Sequence, residues 1–214
     1  MGTRLFNSFG CLFVANTFCA LSYFSKIGNK MQKHHVLGTP LNPPFPDGCE
    51  TIMFGLGCFW GAERLFWEIP NIYSTQVGFG GGNMNNPSYK DVCNGDTGHA
   101  EVVRVVYNPQ LTPLNVLLKT FWEAHDPTTL NRQGNDVGPQ YRSVIFASTE
   151  DQLKAAIESR DAYQKALGDS KPITTEIKLL TEFFYAEPYH QQYLSKNPKG
   201  YCGLKGTGVS CPLK

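Results

Sequence analysis

The chain has 214 residues, of which 41% are hydrophobic, with 14 Phe, 10 Tyr and 3 Trp. This size and composition are typical of one folded domain with short extensions and exclude wholesale disorder. With 19 basic and 18 acidic residues, the chain has no excess of cations to neutralise phosphates. The composition therefore removes the electrostatic basis for binding nucleic acid.

The N-terminal segment differs in charge from the rest of the chain. The first 46 residues carry four cations and no acid, whereas the body from Asp47 onward has 15 basic and 18 acidic residues. Residues 9–24 are apolar but shorter than the roughly 20 residues of a membrane span, so no stable span is expected. We predict that residues 1–35 form a targeting leader or a disordered extension outside the fold.

The destination of this leader stays open between three readings. The order of a basic residue and an apolar core fits a secretory signal, and the lack of acids fits a mitochondrial transit peptide. An internal start at Met31 gives a leaderless cytoplasmic form. We expect a cytoplasmic or mitochondrial protein, with secretion as the alternative.

Residues 36–49 contain four prolines, which fix φ and remove backbone donors. We predict a Pro-rich extended arm that lies on the domain surface. Residues 50–214 then form the domain, including a mobile C-terminal tail that carries two cysteines.

Strand-like and helix-like patterns alternate along this domain. Strands are predicted where apolar residues alternate or run together, and helices where they recur at a period of 3.6. The predicted elements are a strand at 51–55, a helix at 59–68, strands at 72–79 and 99–107, a helix at 113–124, a strand at 141–147, a helix at 150–167, a strand at 174–180 and a short helix at 187–194.

This order predicts the fold class. It is α+β, with a ferredoxin-like (split βαβ) two-layer sandwich core, an additional helix and strand, and a long coiled C-terminal tail. The Gly-rich and Asn-rich stretch between residues 79 and 99 reads as a long loop, a feature that is often functional.

Seven cysteines occur in the chain, and an odd number argues against a plain disulfide framework. No pair has the C-x₂-C spacing and the histidines are not spaced as zinc ligands, so no metal site is expected. The cysteines are Cys11, Cys19, Cys49, Cys58, Cys93, Cys202 and Cys211.

Cys58 is the candidate nucleophile. It lies after a Gly-rich turn, at the predicted N-terminus of a helix, where the helix dipole favours the thiolate and lowers the pKa. The adjacent Phe59 and Trp60 provide a surface for an apolar substrate group.

Cys202 and Cys211 lie in the Gly-rich tail, nine positions apart. Two readings stay open for this pair: mobile thiols that resolve and relay an oxidised Cys58, or a local structural disulfide.

Glu101 begins an otherwise apolar strand, where burial would raise its pKa and make it a proton donor at neutral pH. Tyr89, Asp136 and Tyr141 are polar residues in or beside loops that would point towards the same pocket.

Five segments in order carry a resemblance to a known family. They are GCFWGAE from Gly57, TGHAEVVRV from Thr97, GNDVGPQYRS from Gly134, YHQQY from Tyr189 and the tail GYCGLKGTGVSCP. From about residue 36 to the end, the chain resembles peptide methionine sulfoxide reductase type A.

The resemblance implies a role for each candidate residue. The Cys58 thiolate attacks the sulfur of methionine S-sulfoxide, and Phe59 with Trp60 holds the substrate methyl group. The acid that protonates the sulfoxide oxygen is Glu101. The resemblance also implies that Tyr89 and Tyr141 hydrogen-bond that oxygen and that Asp136 belongs to the same polar site. It further implies that Cys202 forms a disulfide with Cys58 and that Cys211 then exchanges with this disulfide.

The resemblance also implies the partners. Oxidised proteins and free methionine sulfoxide are the substrates, thioredoxin is the external reductant, no cofactor is bound, and we expect a monomer. Two alternatives remain: a cysteine hydrolase that pairs Cys58 with His99, His125 or His190, and a non-catalytic module held by disulfides.

Overall fold

A computed structural model describes residues 32–95 and 97–213. The predicted leader, including Met31, lies outside the described residues except for its last four positions. The elements in chain order are β1 (Glu50–Gly55), α1 (Phe59–Trp67), β2 (Ile72–Gly80), α2 (Tyr89–Cys93), β3 (Ala100–Tyr107), α3 (Leu114–Ala124), β4 (Arg132–Gln133), β5 (Asp136–Val137), a 3-10 turn (Pro139–Tyr141), β6 (Val144–Ala147), α4 (Glu150–Leu167), β7 (Glu176–Leu179), β8 (Phe184–Tyr185) and α5 (Tyr193–Lys196).

A six-stranded sheet in the order β7-β6-β1-β3-β2-β8 forms the centre of the molecule. β3 lies between β1 and β2 and is antiparallel to both, so that β1, α1 and β2 form a split βαβ unit. On the far side, α4 connects β6 to the parallel strand β7. The α+β, ferredoxin-like fold class is therefore confirmed.

The main core lies between one face of this sheet and the helices. Phe54 of β1 stacks on Phe66 of α1 with ring centroids 4.8 Å apart, and it also contacts Phe121 of α3. All three rings are fully buried, and aromatic side chains of this size contribute much of the stabilisation of a small core. This packing holds α1, and the residue that precedes it, against the ends of β1 and β3.

Three local features differ from the predicted elements. The stretch predicted as a long loop contains α2, which begins at a capping box between Ser88 and Asp91. Tyr141 lies in the 3-10 turn rather than in a strand, because β6 begins only at Val144. The final helix is α5, and the predicted helix at 187–194 is interrupted by the left-handed backbone of Gln192 (φ +50°).

The Pro-rich arm packs closely against the body. Leu41 is 2% exposed. His34 is 1% exposed although it is predicted to lie in the leader, so the arm packed on the body includes residues 34 and 35 as well as 36–49. The His34 imidazole lies 2.8 Å from the Thr75 hydroxyl in β2, and the Tyr185 hydroxyl donates to the Leu41 carbonyl. Through these contacts the arm covers one edge of the domain.

Candidate active site

Cys58 is presented by a tight turn between β1 and α1, as the N-cap residue of that helix. The preceding Gly57 has a φ of +97°, and a Cβ atom there would lie 2.8 Å from the side chain of Gln133. Both the conformation and the space therefore require glycine before Cys58, the predicted nucleophile.

The charge state of Cys58 differs from the sequence-based expectation. Burial raises the pKa of the Cys58 thiol and the nearby Glu101 carboxyl raises it further, whereas the backbone N–H of Trp60 lowers it. A helix N-terminus contributes only about 0.3–1 kcal/mol to a nearby charge, and desolvation outweighs it here. The prediction of a lowered pKa is wrong for the resting protein, in which Cys58 is a protonated thiol.

Glu101 is the second residue of β3 and is 1% exposed. Its Oε2 accepts a hydrogen bond of 2.9 Å from the backbone N–H of Phe59, the residue after Cys58. Burial raises the pKa of Glu101 to about 8, with the Phe59 N–H opposing and Asp136 adding to the rise. The direction of this shift agrees with the predicted proton donor and favours the neutral carboxyl group at physiological pH.

Two tyrosines approach this carboxyl from different elements. Tyr89 begins α2, where its backbone N–H donates to Glu187 Oε1 at 3.0 Å, and Tyr141 ends the 3-10 turn. Burial raises the pKa of both phenols, and the charge of Glu101 contributes to both. Each phenol therefore stays protonated and has an O–H to donate.

Asp136 lies in β5 of the small hairpin beside the site. Its Oδ2 accepts a hydrogen bond of 3.1 Å from the hydroxyl of Tyr201 in the tail, the residue before Cys202. Its charge also raises the pKa values of Cys58 and Glu101. Asp136 therefore interacts electrostatically with Cys58 and Glu101 and is hydrogen-bonded to the tail.

Phe59 and Trp60 differ in exposure. The Phe59 ring is fully buried, with its centroid 5.2 Å from that of His190 and 6.3 Å from that of Tyr89. Trp60 is half-buried and stacks on Tyr193 at a centroid distance of 4.0 Å. Trp60 therefore presents the accessible apolar surface next to Cys58, and both rings contact His190.

The two tail cysteines differ in exposure and in the helix that each one lies against. Cys202 is exposed, and its Sγ would contact a Cβ atom at Gly61 of α1 at 2.9 Å, one helical turn from Cys58. Cys211 is 3% exposed, and its backbone N–H donates to Glu123 Oε1 on α3 at 2.8 Å. All five cysteines in the described residues are free thiols.

The histidines proposed for a hydrolase have other partners. His99 bonds to the backbone of Gly82 and Met84, and His125 to Phe121 and Ser143. His190 accepts from the Trp60 indole. Across the described residues, none of these three histidines has a hydrogen bond to Cys58, so the hydrolase alternative lacks its base.

Residues 32–95 and 97–213 contain neither a metal-binding cluster nor a membrane-spanning helix. No group of three or more His, Cys, Asp or Glu residues there would hold a metal ion. Within the same residues, no helix is both long and apolar enough to cross a bilayer.

Sequence reasoning did not assign a role in the site to His190 as a partner of Trp60, or to Tyr193 and Tyr201. The only sequence signal for the first two was the YHQQY segment, which the resemblance included without a residue-level reason. Tyr201 had no signal beyond its place next to Cys202.

Comparison with known proteins agrees with this arrangement. The family model for peptide methionine sulfoxide reductase matches residues 50–209. The mitochondrial peptide methionine sulfoxide reductase of Homo sapiens is 59% identical over 183 residues, which cover 85% of this chain and 78% of the human protein.

Solved structures give the same result. Methionine sulfoxide reductase A of Corynebacterium diphtheriae matches with a TM-score of 0.71 and 45% identity over 86% of this chain and 90% of that one. Reduced Mxr1 of Saccharomyces cerevisiae matches with a TM-score of 0.71 and 39% identity over 78% and 96%. Mxr1 in complex with Trx2 matches with a TM-score of 0.52 and 24% identity over 83% and 99%, which shows the fold alone.

The family model covers most of the chain, and the human relative shares more than half of its aligned residues. The chain therefore belongs to the peptide methionine sulfoxide reductase family.

Proposed function

We propose that this protein reduces methionine S-sulfoxide, both free and in oxidised proteins, to methionine. The observation that carries the proposal is the contact between the neutral, buried Glu101 and the backbone N–H next to Cys58. This contact brings a proton donor and a nucleophilic sulfur to the same point.

The first step transfers the oxygen atom. The substrate methyl group lies against Phe59 and Trp60, and the sulfoxide oxygen faces Glu101 and the two tyrosines. Glu101 donates its proton to that oxygen and takes up the proton of the Cys58 thiol as the Cys58 sulfur attacks the sulfoxide sulfur. The bond between the sulfoxide sulfur and its oxygen then breaks, the hydroxyl group passes to the Cys58 sulfur, and the bond between the two sulfurs breaks. The sulfoxide is reduced to a thioether, and Cys58 is oxidised to a sulfenic acid.

The second stage restores the thiol. The Cys202 thiol attacks the sulfenic acid, which releases water and forms a Cys58–Cys202 disulfide. Cys211 then attacks the Cys202 sulfur, so that the disulfide moves to Cys202–Cys211 and the Cys58 thiol is released. The contact of Cys202 with α1, one turn from Cys58, supports its role as the first of the two.

Thioredoxin is the proposed reductant of the final disulfide, through exchange with its own dithiol. Mxr1, the yeast relative at 39% identity, has been solved in complex with Trx2, which supports this partner. No bound cofactor is needed for the cycle, and we propose that the protein acts as a monomer.

The decisive experiment measures reduction of separated S and R epimers of a methionine sulfoxide peptide, with thioredoxin, its reductase and NADPH. We expect turnover of the S epimer alone, lost in Cys58→Ser. Absence of turnover with either epimer, in a folded protein with free thiols, would overturn the proposal.

For the location, we propose that residues 1–31 direct part of the protein to mitochondria, and that initiation at Met31 leaves the rest in the cytoplasm. The mitochondrial human relative supports the first of these destinations. The test fuses residues 1–31 to a fluorescent protein, with a fusion that begins at Met31 as the control. Entry of the first fusion into the secretory pathway would overturn the proposal.

A further inference from the structure

The Trp60 indole is held by two contacts from a single segment of chain. It is half-buried, so core packing does not fix its orientation by itself. Its Nε1–H donates to His190 Nδ1 at 3.0 Å, and its face stacks on Tyr193 with an interplanar angle of 16°. The edge and the face of the indole are therefore both set by residues 190–193.

The His190 ring is itself rigidly placed. It is 1% exposed, with its centroid 4.1 Å from Tyr189, 4.4 Å from Tyr89 and 5.2 Å from Phe59. Because Nδ1 accepts from Trp60, the proton of the neutral ring is on Nε2, which is buried and has no partner among the described residues. Burial lowers the pKa of His190, which keeps Nδ1 free to accept at neutral pH.

The residues that follow His190 are hydrogen-bonded both to β2 and to α1. The Gln191 side chain bonds to both the N–H and the carbonyl of Val77 in β2, at 3.0 and 2.8 Å. The Gln192 backbone N–H and side-chain amide both donate to the Glu63 carboxylate, each at 2.7 Å. Glu63 belongs to α1, the helix that also carries Trp60. The segment that holds the indole is therefore bound to the same helix as the indole itself.

We propose that His190 is a positioning residue that holds the Trp60 indole against the substrate, and that it thereby sets the preference for a methyl group over larger alkyl groups on the sulfoxide sulfur. The inference rests on the proposed reduction of methionine sulfoxide. One extra methylene in a well-fitted apolar site typically changes kcat/KM by about 10–200-fold. Such selectivity requires that the Trp60 indole keep one orientation. Among the described residues, His190 makes the only hydrogen bond to that indole.

The test compares kcat/KM for the S-sulfoxides of methionine and ethionine. His190→Phe keeps a ring between Tyr89 and Tyr189 but removes the acceptor. We expect its preference for the methyl substrate to fall about tenfold, mainly through KM for methionine sulfoxide. His190→Asn, which retains an acceptor close to the position of Nδ1, should restore part of the preference.

His35→Phe is the matched control. It breaks the 2.8 Å contact between His35 and Ser195, on the same segment but away from Trp60. We expect it to leave the selectivity unchanged. An unchanged preference in folded His190→Phe, or an equal loss of activity on both substrates, would overturn the inference.

A second measurement uses the unaltered chain and follows the Trp60 indole N–H resonance by NMR during acidification, assigned with Trp60→Phe. Protonation of His190 places a hydrogen on Nδ1 and removes the acceptor, so the resonance should shift in step with the His190 ring signals. The titratable groups that face this ring are Glu187, Tyr189 and Tyr89.

The two measurements separate the possible failures. An indole resonance that does not move while His190 titrates would overturn the inference even if His190→Phe does not fold. If the unaltered protein reduces neither epimer, the proposed function fails, and the resonance alone then decides whether His190 holds Trp60.

Discussion

Glu101 and Cys58 both keep their protons at neutral pH, and this pairing defines the chemistry of the site. Burial is the leading cause of the raised pKa in both residues, and each has further contributions from neighbouring acidic groups. A neutral pair avoids placing two negative charges in a desolvated pocket. In the proposed mechanism, it also lets one carboxyl group give a proton to the sulfoxide oxygen and take up the proton of the thiol.

Replacement of Glu101 by Gln tests this proton transfer. The amide oxygen still accepts from the Phe59 N–H, but it has no acidic proton, so kcat should fall about 10²–10⁴-fold. In the unaltered protein, kcat/KM should fall as pH rises through about 8, the pKa of Glu101, because the acid form is lost. The variant should lack this fall. If kcat/KM of the unaltered protein instead rises through the same pH range, the reacting species is a Cys58 thiolate that forms before the substrate binds.

Glu63 provides a second prediction at this scale, for stability rather than rate. Burial raises its pKa from 4.5 to about 7, against three hydrogen bonds that favour the carboxylate. The contribution of Glu63 to folding is fully present below about pH 4.5 and is lost as pH rises through about 7, by about 3 kcal/mol. Urea unfolding of Glu63→Gln at several pH values should lack this part of the pH dependence. Parallel pH profiles for the two proteins would contradict the assignment.

At the scale of elements, the contact between α1 and the tail places Cys202 for the proposed recovery of the Cys58 thiol. Gly61→Ala would place a Cβ 2.9 Å from the Cys202 sulfur and 3.2 Å from Leu204, so the tail must shift. Because alanine favours a helix over glycine by about 1 kcal/mol, the fold itself should not be weakened.

We expect Gly61→Ala to slow steady-state turnover about tenfold while leaving the first, single turnover intact. Rapid-quench measurement of methionine formation, with and without thioredoxin, separates the two phases. An equal loss in both phases would show that the tail contact is not specific to the resolving step.

The elements that were predicted correctly are those with local causes. α4 has its apolar period, the Thr149 cap and the Gly168 terminus within its own sequence, and its bounds are as predicted. The break at Gln192 has a distant cause, because the Glu63 carboxylate that holds it lies 129 residues away in the chain. No local pattern contains such a contact.

The same reasoning applies to the candidate site. The turn at Cys58 and the position of Glu101 in an apolar strand are visible in the sequence, and both residues meet because β3 pairs with β1. The pKa of Cys58 was predicted in the wrong direction because it depends on burial and on a carboxyl 43 positions along the chain. The Trp60–His190 bond, across 130 residues, is of the same kind.

At the scale of the whole molecule, the arm is part of the folded unit. His34 reaches Thr75, which in turn donates to Glu63, so the arm connects through two hydrogen bonds to the helix that carries Trp60. Leu41 is buried as well, and its carbonyl accepts from the Tyr185 hydroxyl.

A variant that begins at Asp47 should therefore lose about 3–5 kcal/mol of unfolding free energy, through the lost burial of Leu41 and the lost hydrogen bond between His34 and Thr75. A variant that begins at Met31 retains the arm and is the control. Urea denaturation of both measures the difference. Equal urea midpoints for the two variants would show that the arm does not contribute to the stability of the domain.

The protonated state of Cys58 has one more consequence, for selectivity among oxidants. Hydrogen peroxide and alkylating agents react with thiolates far faster than with thiols, and excess peroxide drives a sulfenic acid on to irreversible sulfinic acid. In the proposed mechanism the thiol loses its proton only when a sulfoxide is bound, so Cys58 should be spared these side reactions. We therefore expect the protein to remain functional under the same oxidising conditions that damage its substrates.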